Sequence, residues 1–168
     1  MTSTTIQIRE LHPEDSLEAL TTLINRAYAR VAAMGYRLAG TYQDIEHTRR
    51  RAARGVCFVA VLDGVLVGTM SACPSFPNDT CAYLTRPELA YRFQFAVAEH
   101  LQGNGIGSAL RQRVDMWARE YGFTEVGTDT AEGYAERLAS MAKEGFVQVD
   151  RIRWPGDDFY SVVMARPL

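Results

Sequence analysis

The stretch Gln102-Gly103-Asn104-Gly105-Ile106-Gly107 constrains this chain more than any other, because its glycines stand between two regular patterns. Upstream, Tyr91-Arg-Phe-Gln-Phe-Ala-Val-Ala98 is aromatic and aliphatic and short enough for a buried strand. Downstream, Ile106, Leu110, Val114, Trp117, Ala118 and Tyr121 recur at helical spacing as far as Gly122. The glycines therefore occupy the entry to a helix, where backbone N–H groups lack intrahelical partners and the helix dipole is positive. Such a place suits a phosphate, and glycine lets the backbone approach an anion closely. No acidic residue from Leu101 to Leu110 opposes one. The alternative is a helix entry loosened by glycine that holds no ligand.

Other nucleotide loops fit poorly. A P-loop needs Lys and then Ser or Thr after its last glycine, whereas Ser108 and Ala109 follow Gly107. A dinucleotide fingerprint counted from Gly103 places Ser108 where its third glycine belongs, and no parallel-sheet unit precedes it. The loop instead resembles the acyl-CoA loop of the GCN5-related N-acetyltransferases, the GNAT superfamily. That signature is Arg or Gln, two residues, Gly, one residue, then Gly or Ala. Gln102, Gly105 and Gly107 fill it, after a strand that ends in Phe95-Ala96-Val97.

The order of elements extends the resemblance from about residue 5 to residue 168. Residues 5–10 alternate as a strand, and a helix with Leu17, Leu20, Ile24, Ala27, Tyr28 and Val31 on one face fades near Met34-Gly35. Tyr42 to Arg54 reads as a second helix. Its Arg49, Arg50, Arg51 and Arg54 either grip an anion or form a solvated face paired with Asp44 and Glu46. Val56–Leu62 and Val65–Cys73 flank Asp63-Gly64, the preferred residues of a type I′ hairpin turn. Residues 74–87 form a long loop with Pro74, Pro77, Asn78 and Asp79. After the glycine loop and its helix come a strand over Thr124–Thr130 and a helix over Gly133–Glu144, with Leu138, Met141 and Ala142 inward. Strands over Phe146–Trp154 and Phe159–Ala165 close the chain.

The resemblance implies an α/β (mixed α+β) fold. It is a single GNAT-type domain over residues 1–168, with a strongly twisted mixed sheet of about six to seven strands flanked by about four helices. It also implies acetyl-CoA as co-substrate and no metal. The phosphates would lie on the N–H groups of Gln102, Gly103, Asn104, Gly105, Ile106, Gly107 and Ser108, and the edge of Phe95, Ala96 and Val97 would bond the pantetheine amides. The reaction is attack of an amine on the thioester, which needs loss of a proton from the ammonium and stabilisation of the departing thiolate.

Two departures from the family pattern bear on that chemistry. Met141 stands where many members have a proton-donating Tyr; Tyr134, where members often have an Asn that contacts the CoA arm, is either the candidate acid that reaches the sulfur or a ring that packs beside it. No Glu or His begins the fourth strand, so Glu88 is the candidate base. Asp129 comes next, its alternative being to cap the following turn or helix, and a water chain with no dedicated base also stands. Cys73 offers an acyl-cysteine route, against the reading of a small core residue. His100 and Glu99 read as exposed neighbours of the loop. Met34, Tyr36, Leu38, Tyr42, Phe76, Tyr83, Trp154 and Phe159 form acceptor walls or core; as walls they suit a small or mid-sized amine.

Composition narrows the partners. A net charge of −2 argues against nucleic acid or an anionic membrane as the main partner. No membrane-length apolar run or basic-apolar leader is present, and Cys57, Cys73 and Cys81 have no metal or disulfide spacing, which points to the cytoplasm. A non-catalytic acyl-CoA-binding regulator and an interaction domain without ligand are the rival classes. The last run, with Val162-Val163-Met164 and no charge before Arg166, reads as an apolar edge that would pair with a second copy across Phe159–Met164. The competing placement inserts it beside the fifth strand.

Overall fold

The computed structural model describes residues 5–75, 78 and 80–168. A seven-stranded mixed sheet runs β1 (Gln7–Glu10), β2 (Val56–Leu62), β3 (Val65–Pro74), β4 (Leu89–Val97), β5 (Glu125–Ala131), β7 (Ser161–Pro167) and β6 (Val147–Ile152) in spatial order. Five α-helices accompany it: α1 (Leu17–Ala27), α2 (Ala29–Ala33), α3 (Ile45–Ala52), α4 (Ile106–Glu120) and α5 (Ala135–Lys143). No described helix is long and apolar enough to cross a membrane.

Local chemistry sets several of these elements. Asp63 and Gly64 have φ of 50° and 78°, as a type I′ turn requires, and they join β2 to β3 with Leu62 opposite Val65. Ser16 caps α1 by accepting the Ala19 N–H at 3.1 Å, and Asp44 caps α3 by accepting the His47 N–H at 2.7 Å. Alternation along β2 then feeds both layers. Cys57 and Val59 meet Leu20, Leu23 and Ile24 of α1, whereas Phe58 and Ala60 meet Ile106, Leu110 and Val114 of α4. Each such aliphatic side chain, once buried, contributes about 1.5–3 kcal/mol.

Four expectations change. The first predicted helix is two, interrupted at Tyr28, whose ring lies against Gly40; a Cβ on Gly40 would come within 2.5 Å of that ring. Tyr121 is 70% exposed, because α4 ends before it and the chain turns at Gly122 to pack the half-buried Phe123 against the core instead. Ala142 is exposed, leaving Leu138 and Met141 as the inward face of α5. Finally, β7 is not an edge. It pairs antiparallel with β5 on one side and β6 on the other, and Ser161 to Ala165 are all buried. Its apolar run reflects burial between two strands, and it offers no free edge on which a second copy could pair across Phe159–Met164. The edge on this side of the sheet is β6, whose Gln148, Asp150 and Arg151 blunt it.

The feature that positions the site is a defect in β4. Thr69 of β3 faces Ala96 and Ser71 faces Phe93, so one residue of β3 opposes two of β4. Gln94 takes up the extra length with φ of 56°, an unusual backbone for a non-glycine residue. A buried amide chain holds it: Gln43 Nε2 donates to Gln94 Oε1 at 3.2 Å, and Gln94 Nε2 donates to Ser71 Oγ at 3.3 Å. The parallel ladder between β4 and β5 lasts only from Leu89–Glu125 to Tyr91–Gly127. Beyond it the strands separate.

Candidate active site

The separation leaves a slot between β4 and β5, with the glycine loop at the far end of β4. Ala96 and Val97 pair with Thr69 and Gly68 of β3, so the opposite edge of Phe95-Ala96-Val97 faces the slot without a strand partner among the described residues. Gly103 and Gly105 have φ of 82° and 81°, the left-handed backbone that glycine adopts without strain. The first bond of α4 runs from Ala109 N–H to Gly105 O at 2.9 Å. The N–H groups of Ile106, Gly107 and Ser108 precede it, and no side chain caps them. Gln102 Nε2 donates to Val97 O at 3.3 Å and Asn104 Nδ2 to Leu101 O at 3.2 Å, which ties the loop to the strand end. A Cβ at Gly107 would lie 3.0 Å from Phe95 Cζ, so that glycine permits the loop to pack on the slot wall. Glu99 and His100 are exposed beside it.

Two guanidinium groups flank Phe95. Arg111 of α4 lies 5.5 Å and Arg137 of α5 lies 5.0 Å from its ring centroid. Since α5 follows β5 and Phe95 belongs to β4, Arg137 reaches across the slot. It has no carboxylate in ion-pair range among the described residues, and burial pulls its pKa below the usual guanidinium value. Tyr134 precedes α5, within electrostatic reach of Tyr28 and Arg137. Met141 is 1% exposed and packs with Val126, Phe146, Val162 and Met164, so that position offers no proton.

On the other face a cavity of about 380 Å³ opens between residues 37–42, α3, the splayed strands and the turn at Trp154–Asp157. Tyr91 and Phe93 stack along its wall, with ring centroids 5.7 Å apart. Asp129 accepts a bond from the Tyr91 hydroxyl on one oxygen and from Trp154 Nε1 at 2.9 Å on the other. It therefore does not cap the following helix; it presents a fixed carboxylate to the cavity. Burial, and then the Asp129 charge, raises the Tyr91 pKa well above that of a free phenol, so the hydroxyl stays a donor. Arg51 lies 5.3 Å over Phe93 and donates to Gln43 Oε1 at 2.7 Å.

The predicted site residues thus divide. The loop, the Phe95–Val97 edge and Tyr134 gather around the slot. Glu88 does not: it precedes β4 at the paired end, where its carbonyl accepts from Thr124 and Glu125 and its carboxylate bonds Arg86 at 2.8 Å. A bond to its own backbone N–H, then Arg86, lowers its pKa. Of the predicted walls, Leu38, Tyr42 and Trp154 line the cavity. Tyr36 and Phe159 pack edge to face beside Gly133, Met34 points outward, and Tyr83 bonds Glu125 at the paired end. Phe76 lies outside the described residues, as do Pro77 and Asp79 of the predicted loop. Cys73 is buried in the core, its thiol pushed up to about 11 by burial, which disfavours a nucleophilic thiolate. The sequence reading missed the cavity roles of Tyr28, His47, Phe93 and Asp157, and it named Arg51 only within a cluster of four arginines with two open readings. For Arg51 a signal existed: it is three residues from the buried Thr48, on the inward stripe of α3.

The sequence profile of the acetyltransferase (GNAT) family matches residues 17–146. No curated protein sequence matches the chain. Solved structures share its fold at low identity. A ribosomal-protein-alanine N-acetyltransferase from Brucella melitensis has a TM-score of 0.72 at 23% identity, covering 96% of this chain and 99% of that one. A GCN5-related N-acetyltransferase from Kribbella flavida has a TM-score of 0.72 at 22% identity, covering 97% and 98%. The ribosomal-protein-S18-alanine N-acetyltransferase from Escherichia coli has a TM-score of 0.69 at 18% identity, covering 97% and 94%.

Proposed function

The chain belongs to the acetyltransferase (GNAT) family, and on that premise we propose that it transfers an acetyl group from acetyl-CoA to the amine of a small or mid-sized acceptor by direct attack on the thioester. One observation carries the reading: the open β4–β5 slot ends on unpaired helix N–H groups and has on its other face a cavity with a fixed carboxylate. The co-substrate phosphates sit on the loop from Gln102 to Ser108, where backbone donors and helix dipole favour an anion. The pantetheine arm lies along Phe95-Ala96-Val97 as an added strand would.

The acceptor enters from the cavity. Asp129, rather than Glu88, meets its ammonium and starts the route by which the proton leaves through water, freeing the nitrogen lone pair. The nitrogen attacks the carbonyl carbon, the C–S bond breaks, and the electron pair departs with sulfur. Because Met141 has no proton to give, the Arg137 guanidinium across the slot neutralises that thiolate, and the Tyr134 hydroxyl is the candidate proton donor. Tyr134 and Asp129 divide the roles of acid and base between the two sides of the slot.

Replacing Gly105 tests the donor half. A Cβ there meets nothing within 4 Å, so Gly105→Val folds with a strain of about 1–2 kcal/mol from its left-handed backbone. Calorimetry should show acetyl-CoA affinity falling at least about a hundredfold, since the side chain stands where phosphate approaches. Unchanged affinity contradicts the loop assignment.

A further inference from the structure

Arg51 and Asp129 face one cavity with opposite charges, and neither forms an ion pair with the other or with any other side chain among the described residues. The neighbours of Arg51 behave differently. Arg49 and Arg50 lie 3.2 and 3.6 Å from Glu46 on the solvated face of α3. Arg51 is turned inward by Gln43, whose own amide is fixed by Thr48 at 2.7 Å and by Gln94 at 3.2 Å. The amide chain that holds the bulge in β4 therefore also holds this guanidinium at the cavity wall. Keeping a half-buried cation without a counter-charge is unfavourable, and so is keeping an acid without a cation.

Direct pairing would relieve both, yet each is engaged on a different ring of one stack, Asp129 on the Tyr91 hydroxyl and Arg51 over Phe93. The nearest charges differ between the two ends. At the Arg51 end, burial and then Arg51 and Arg50 lower the His47 pKa, with Asp44 acting against them. At the Asp129 end, burial and then Asp129 and Asp158 raise that of Asp157, with Arg153 and Arg37 acting against them.

We infer that the acceptor is a primary amine bearing an anionic group, a carboxylate or a phosphate, at its other end. Its ammonium meets Asp129, its anion meets Arg51, and the chain between them lies on the Tyr91–Phe93 stack. This rests on the cavity being the acceptor site. The chemistry is unchanged: the amine loses a proton, forms the amide and releases the CoA thiol, while the anionic group takes no part in bond making.

The test compares straight-chain ω-amino acids with n-alkylamines and diamines of matched length, following thiol release from acetyl-CoA. Aminoalkyl phosphonates and phosphoethanolamine form the phosphate arm; whichever arm is faster names the anion. The best acidic amine should exceed its neutral match in kcat/KM by roughly tenfold to a hundredfold, the worth of a hydrogen bond to a charged group. Arg51→Gln should erase that preference by slowing only the acidic amines, and Arg51→Lys should restore part of it. A wild-type preference for neutral amines, diamines or an alanyl peptide overturns the inference, as does an equal loss for all amines in Arg51→Gln. If no amine releases thiol, the catalytic reading fails separately, and calorimetry then decides the pocket. Binding of an acidic amine that Arg51→Gln weakens at least tenfold upholds the inference, and no binding overturns it.

Discussion

Strand β4 separates two groups of charges that are treated in opposite ways. On the α4–α5 side Arg92 is completely buried, yet its guanidinium lies 3.1 Å from Glu144 and 3.8 Å from Asp115 and rests over Phe146. Arg111 joins Glu144 at 3.5 Å and Arg166 joins Asp115, so both carboxylates are shared. On the cavity side Arg51 and Asp129 are fixed by neutral donors and acceptors and remain unpaired. Paired charges tie two helices and β7 to the strand and so keep the slot walls in place. Unpaired ones gain nothing for the fold; their attraction is left for a ligand.

Breaking the paired side should have the largest effect. Glu144→Gln leaves the buried Arg92 with one distant carboxylate and should destabilise by about 3–5 kcal/mol, or roughly 10 °C in Tm by calorimetry. A loss below about 1 kcal/mol would mean that the network does not hold the helices. On the open side, Asp129→Asn should lower kcat/KM by roughly a hundredfold to a thousandfold while shifting stability by less than about 1 kcal/mol. The reverse pattern would make Asp129 structural.

Smaller effects sharpen the contrast. Tyr134→Phe should lower kcat by about tenfold with little change in the acetyl-CoA KM, and the loss should vary with pH. An equal kcat would leave the thiolate to Arg137, whose Gln variant should then raise the pH at which bound CoA thiol ionises, read from thiolate absorbance. The smallest effect lies far from the slot. The hydrogen bond from Arg9 holds the Asp15 carboxyl down to about 2. Its folded pKa is thus depressed, so its stabilisation is present above about pH 4 and is lost as the pH falls through about 2. Asp15→Asn should cost about 1–2 kcal/mol at neutral pH, nothing near pH 2, and no activity.

What the sequence made legible was local. Asp63-Gly64 and the glycine loop determine their own backbone, so the hairpin and the helix entry are found where short-range chemistry puts them. The position of β7 was not legible, since a run such as Val162-Val163-Met164 suits an exposed edge and a central strand equally until its partners are known. Asp129 was visible as a candidate, but its role depends on Tyr91 and Trp154, 38 residues upstream and 25 downstream. Arg51 was legible as one of four arginines able to grip an anion, but nothing local separated it from its solvated neighbours; the buried Gln43 turns its side chain inward. Glu88 looked close to the site along the chain, but β4 carries it to the end where β5 is still paired.

The account rests on acetyl transfer across the slot, and amine-dependent release of CoA thiol by the wild-type protein tests it most directly. With acetyl-CoA saturating, the predicted result is negligible release alone, rapid release on adding an acceptor amine, and loss of that stimulation in Asp129→Asn. Tight acetyl-CoA binding with no stimulation by any amine would contradict the account and make the domain a binder of acyl-CoA.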